Sequence, residues 1–199
     1  MKLSMLLIII LALPLNLMAQ NSDSIKSQYD YLNRDNFYIL KADSNLSSLS
    51  KIKESGLKSI KAALQLFGSD YSSKKYFDEL FNRNTNVITY HDGLWLEIMD
   101  DPRYEINFKV TSDKYIILLS SGKVIKVGMT GDELKSIFPK SFSNRKIIVD
   151  RKDWYGKVTF DVYFSFVRDN KVYQEGACIV FVLSKENGVL EQIISWEPG

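Results

Sequence analysis

The chain reads as an α+β fold, an antiparallel β-sheet meander packed by helices on one face. Three observations lead there. Apolar residues recur at helical spacing from Leu57 to Phe67. After Asn84 the period switches to two and holds through most of the remaining sequence. One short capped helix, opening at Gly131, then interrupts the strands.

The elements follow in order. Residues 1–19 have the form of a secretory signal peptide: Lys2 supplies the positive start, Leu6 to Leu13 the apolar run, and Ala19 the small residue at the cut. The run is shorter than the ~20 residues a membrane-spanning helix needs. No cysteine stands just after the cut, so a soluble periplasmic or secreted chain without stable membrane insertion is expected. The remainder, 20–199, suits a single α+β domain. From Gln20 to Asn45 the pattern is weak, with Ile25, Tyr29 and Leu32 fitting one face of a short helix.

Leu57, Ile60, Leu64 and Phe67 then predict a helix, with Gly68 as its stop. Tyr76, Phe77, Leu80 and Phe81 predict a second helix over 73–82. Successive strands follow at 87–90, 94–99, 104–110, 115–119 and 123–127, separated by turn signals such as His91-Asp92-Gly93 and Asp100-Asp101-Pro102. Tyr104, Ile106, Phe108 and Val110 alternate with Glu105, Asn107 and Lys109, which gives that strand one dry and one wet face.

Thr130-x-x-Glu133 is a capping box: the threonine hydroxyl accepts the Glu133 amide and the Glu133 carboxylate reaches back. Met129 and Leu134 are spaced as a hydrophobic staple, and Pro139 ends the helix. Strands resume at 146–150 and 158–166. A buried strand at 177–184 and a hairpin at Asn187-Gly188 lead to a closing strand at 189–196. Helix then strands occurs twice, and Leu57-Lys58-Ser59-Ile60 recurs as Leu134-Lys135-Ser136-Ile137. The order is compatible with two pseudo-repeats, 46–127 and 128–199.

Gly128-Met129-Thr130 opening a short helix ahead of an antiparallel meander resembles a pattern of bacterial envelope proteins. It is similar to the small lipoprotein of the outer-membrane barrel-assembly machinery and to the β-lactamase-inhibitor-like fold. The inhibitor carries two such units in tandem. The match covers Gly128 to Phe138, with Ile179 to Trp196 as a fainter echo. Pro139 stands where the family has a glycine soon after the helix, and the acylated cysteine of the assembly lipoprotein has no counterpart here. The resemblance implies a non-catalytic protein that binds envelope or extracellular proteins.

Composition narrows the chemistry. Lys and Arg number 26 against 24 Asp and Glu, with no basic block, so nucleic acid is not an expected partner. A 45% hydrophobic and 13% aromatic content can supply an interior without disulfides, since Cys178 is the only cysteine. Cys178 lies in an apolar strand and reads as a small buried hydrophobe. His91 is the only histidine, which leaves too few nitrogen and sulfur ligands for a structural zinc. No cofactor, metal or catalytic residue is expected. The carboxylates Glu97 and Asp161, with His91, are the remaining titratable candidates for an enzyme.

Aromatic residues carry the candidate site. Trp154 and Tyr155 sit in a turn, Trp95 shares a strand face with Glu97, and Tyr163 lies on the polar face of its strand. With Tyr90 they form a candidate protein interface, tryptophan and tyrosine being enriched at binding hot spots. The rival expectation is a carrier of a small apolar or lipidic ligand, held against the second helix by Phe77, Leu80 and Phe81.

Overall fold

Period-two alternation builds most of the molecule, and it does so in two sheets. The computed structural model describes residues 28–33, 37–43, 60–79, 82–99, 107–149, 152–168 and 171–196. The strands are β1 (Tyr31–Asn33), β2 (Phe37–Lys41), β3 (Tyr71–Asp78), β4 (Arg83–Tyr90), β5 (Leu94–Met99), β6 (Asn107–Val110), β7 (Tyr115–Leu119), β8 (Val124–Lys126), β9 (Lys146–Ile147), β10 (Val158–Arg168), β11 (Lys171–Leu183) and β12 (Leu190–Trp196). The helices are α1 (Ile60–Phe67), α2 (Gly131–Ile137) and α3 (Pro139–Ser143).

The large sheet runs β1-β10-β11-β12-β6-β5-β4-β3, with β9 also on β10. All its pairings are antiparallel except the short one between β1 and β10. It consists of two meanders, β3–β6 and β9–β12, whose last strands lie side by side: Ile193 faces Val110 and Ile194 faces Lys109.

Parity decides what each face does. Leu94, Leu96 and Ile98 of β5, Phe108 and Val110 of β6, Ile179, Phe181 and Leu183 of β11, and Phe160, Val162 and Phe164 of β10 all point inward and are buried. Each such side chain contributes about 1.5–3 kcal/mol when removed from water. Helices alone do not cover this face. A second sheet, β2-β7-β8, shares the core through Ile39, Tyr115, Ile117, Leu119 and Ile125. Phe37 of β2 joins the two sheets, its ring stacked on Phe164 at 5.7 Å and tilted on Phe108 at 6.0 Å. A single sheet was the sequence-based expectation; short strands such as 37–41 and 124–126 do not announce which partner they will choose.

The helix expected at 73–82 is a strand. Tyr71 to Asp78 pairs residue for residue with β4, and Asn82, in the left-handed region at φ 51°, serves the turn between them. Ser72, Ser73, Lys74 and Lys75 are all exposed on this edge strand, so no alternation betrays it, and the Tyr76-Phe77 pair mimics a helical face. Leu80 and Phe81 lie outside the described residues, as do residues 1–19 and Asp100-Asp101-Pro102. Leu32, expected on a helix, is buried in β1 beside β10.

The helices form where their signals stand. α1 buries Ala62, Ala63 and Phe67 and ends at Gly68, whose amide bonds Leu64 O at 2.9 Å with φ at 90°. At α2 the Thr130 amide donates to Glu133 Oε2 at 2.7 Å and the Glu133 amide to Thr130 Oγ1 at 3.3 Å, closing the capping box. Leu134 is buried and Met129 packs on the core. Pro139 does more than end α2: it takes the first position of α3, where a missing amide hydrogen costs nothing. Phe138 and Phe142 reach the large sheet, on Phe181 at 5.5 Å and Phe160 at 5.4 Å. Asp30 and Ser141 exchange hydrogen bonds, both 2.9 Å, which ties the chain before β1 to α3. No helix among the described residues is long and apolar enough to cross a membrane.

The cap gives a testable outcome. Thr130→Ala removes the side-chain acceptor and is expected to lower stability by about 1 kcal/mol in urea denaturation. The Glu133 carboxyl is held below its ordinary value, first by the Thr130 amide and then by the Thr130 hydroxyl. A depressed carboxyl contributes stability above its unfolded pKa, and that contribution is lost as pH falls through the folded value. Glu133→Gln should therefore flatten the loss of stability on acidification below pH 4.5, the group's ordinary value. An unchanged acid limb in the variant would show that the cap carries no such linkage.

Candidate functional site

The outward face of the large sheet holds a groove of about 1180 Å³ over the junction of the two meanders. Register places its floor. Trp95 of β5 faces Lys109 of β6, Lys109 faces Ile194 of β12, and Ile194 faces Val180 of β11. Glu97 and Asn107 form the adjacent row. The turn before β10 brings Lys152 and Trp154 to one wall, and His91 with Gly93 stands at the tip of the β4–β5 hairpin. Gly93 is required there: at φ 110° a Cβ would meet Ser112 Cβ at 2.8 Å.

A polar strap fixes the floor. Tyr76 of β3 donates its hydroxyl to Glu97 Oε1, and Asn107 Nδ2 donates to Glu97 Oε2 at 3.0 Å. The Ser195 hydroxyl donates to Asn107 Oδ1 at 3.5 Å and accepts the buried Phe108 amide at 2.7 Å. The phenol of Tyr76 is pushed up to about 12, first because it donates to the Glu97 carboxylate and then by burial. Glu97 is thus a placed negative charge with both oxygens engaged. The amines of Lys109 and Lys152 bring positive charge to the same groove.

Of the five expected interface residues, three line the groove. They are Trp95, Trp154 and Tyr90. Trp154 is half-buried and packs with Tyr163 and Ile194 on a small apolar cluster of Cys178, Val180 and Val182. Tyr155, the next residue, is 72% exposed. Tyr163 shares the sheet face with Trp95 but lies four strands away, about 19 Å at ~4.8 Å per strand. It packs instead edge-on against Tyr29 at 5.0 Å. Tyr90 lines one edge of the groove, but its ring is buried in the core and donates its hydroxyl to Ala63 O at 3.2 Å. Position 90 has the inward parity of Ile88, so its ring belongs to the core.

The other candidates fare as follows. Cys178 is buried, and its thiol is pushed up to about 12 by desolvation first and by Asp161 second. Glu97 and Asp161 lie four strands apart, well beyond the ~5–9.5 Å of a paired-carboxylate site. Asp161 pairs with Lys146 at 3.5 Å. No cluster of three metal-ligating side chains occurs among the described residues. Phe77, expected to hold an apolar ligand, is 54% exposed on the edge strand β3, so the pocket proposed for a carrier lacks its helix. Asn107, Lys109, Lys152 and Ile194 were missed as site residues. The wet face of the β6 strand signalled the first two, but only the pairing of β6 with β12 brings Ile194 beside them.

Comparison with protein-family models, curated proteins and solved structures returned no match. The likeness to envelope proteins therefore stands on the Gly-Met-Thr helix opening alone.

Replacing Glu97 by Gln removes the charge that holds the Tyr76 proton. The phenol should then titrate closer to its ordinary 10.0, read by ultraviolet absorbance of the folded protein. No shift between the two proteins would show that the strap does not form in solution.

Proposed function

We propose that the chain is an exported, non-catalytic protein-binding or inhibitor-like module of the bacterial envelope, and that its contact surface is the groove on the outer face of the large sheet. The observation that carries this reading is the convergence of Trp95 and Trp154 in one concave surface whose floor is fixed by the Tyr76–Glu97–Asn107–Ser195 strap. Rigid aromatic anchors beside placed charges are what a hot spot requires, since little side-chain freedom is lost on contact. A helix opening like that of the envelope family supports the setting. So does the arrangement of two helix-led meanders joined at their last strands, which tandem units 46–127 and 128–199 would build.

The test is capture from envelope extract by the immobilised full chain, the Trp95→Ala variant and the Lys109→Glu variant. Trp95→Ala is expected to weaken the specific partner by about thirtyfold, the value of a 2 kcal/mol hot spot. Lys109→Glu should chiefly slow association and alter its salt dependence. Partners retained equally by all three proteins would place the contact surface elsewhere.

A further inference from the structure

The floor of the groove has an order from one end to the other. One line of facing residues crosses five strands: Thr89 of β4, Trp95 of β5, Lys109 of β6, Ile194 of β12 and Val180 of β11. One indole, Trp95, belongs to this line, and the other, Trp154, packs on the cluster of Cys178, Val180 and Val182 at its far end. The Trp95 and Val180 positions are three strand spacings apart, about 14 Å at ~4.8 Å per strand. Lys109 and Ile194 fill the interval between them.

The charges around this line differ in how they are engaged. Glu97 lies in the neighbouring row, and Tyr76 and Asn107 already donate to its two oxygens. Asp161 continues the line beyond Val180 and is paired with Lys146 at 3.5 Å. Lys109, by contrast, is half-buried between the two aromatic ends, and its amine bonds no described residue. The amine of Lys152, two residues before Trp154 in the same turn, is likewise unbonded among the described residues. The lining thus carries two unpaired amines against one carboxylate whose oxygens are taken. An occupant that brings its own carboxylate to Lys109 supplies the partner the fold withholds.

The spacing suits an extended polypeptide. Along such a chain the side chains at i, i+2 and i+4 share a face, and at ~3.3 Å per residue the outer two stand about 13 Å apart. Laid across the strands, one outer side chain meets Trp95, the other meets Trp154, and the middle one stands over Lys109. A neutral sugar chain could stack on both indoles, but it would leave the amines unanswered.

We propose that the groove takes an extended acidic segment of its partner, with an apolar side chain two positions to either side of an aspartate or glutamate. This specificity rests on the groove being a protein-contact surface and adds what the partner presents there. The isotope-labelled full chain is titrated with the peptide acetyl-Gly-Phe-Ser-Glu-Ser-Phe-Gly-amide, with its glutamine counterpart and with chitotetraose, each followed by NMR at the indole N–H signals of Trp95 and Trp154. The glutamate peptide is expected to bind about fivefold more tightly than the glutamine one, as a single partly shielded ion pair allows. The preference should shrink as salt shortens the Debye length from ~10 Å to ~3 Å. Lys109→Gln should remove most of it while leaving the glutamine peptide's affinity unchanged, and Lys152→Gln, at an exposed position, should reduce it. Equal binding of the two peptides, or an undiminished preference in Lys109→Gln, overturns the acidic specificity and leaves the groove as a protein-contact surface. Indole signals unmoved by either peptide at millimolar concentration overturn it as well, and movement with chitotetraose alone would assign the groove to a glycan. The wider reading fails separately, when envelope partners are retained equally by the full chain and by Trp95→Ala.

Discussion

The architecture depends on the junction between β6 and β12. Only there do the two meanders become one sheet, through two facing pairs, Val110 with Ile193 and Lys109 with Ile194. Where the ladder would go on, the side chain of Ser195 takes over and accepts the Phe108 amide in a buried position. A buried amide without a partner would cost on the order of 1–3 kcal/mol, so this hydroxyl stands in for a missing rung. The same hydroxyl starts the polar strap that runs through Asn107 to Glu97 and Tyr76. One short seam therefore closes the inner core and fixes the floor of the groove at once.

The two faces of the sheet show what parity does with such a seam. Inward residues on both sides of it pack under a second sheet, the rings of Phe67 in α1, Phe138 between α2 and α3, and Phe142 in α3, and Leu134 of α2. Among the described residues, the outward side chains of β5, β6 and β12 meet no such layer. They leave a groove lined by Trp95 and Trp154, the engaged carboxylate of Glu97, and Lys109 and Lys152. Cys178 illustrates the contrast: it lies on the outward face, yet the Trp154 cover and an elevated pKa keep it from acting as a nucleophile.

Local signals were legible wherever a local cause governs. The capping box at Thr130 and Glu133, the stop at Gly68, the turn at His91-Asp92-Gly93 and the strand 94–99 are set by neighbours in sequence, and each stands where its residues place it. Illegible features depend on distant partners. Tyr71–Asp78 becomes a strand because β4 offers it an edge; its exposed Ser and Lys residues carry no period of their own. Tyr38-Ile39-Leu40 joins β7 in a second sheet, which no turn or spacing foretells. In the groove, Trp95 could be assigned to the wet face from alternation alone. Trp154 and Ile194 reach it only through non-local pairing, and the burial of the Tyr90 ring could be read only once β4 had a fixed register.

Amide hydrogen exchange of the full chain, resolved by residue, tests the seam most directly. Val110, Ile193 and the Ser195-bonded Phe108 should exchange as slowly as the central amides of β10 and β11, opening only with global unfolding. Exchange at these three positions orders of magnitude faster than at β10 and β11 would mean that the meanders part in the native state. The groove would then not be the fixed surface on which the account rests.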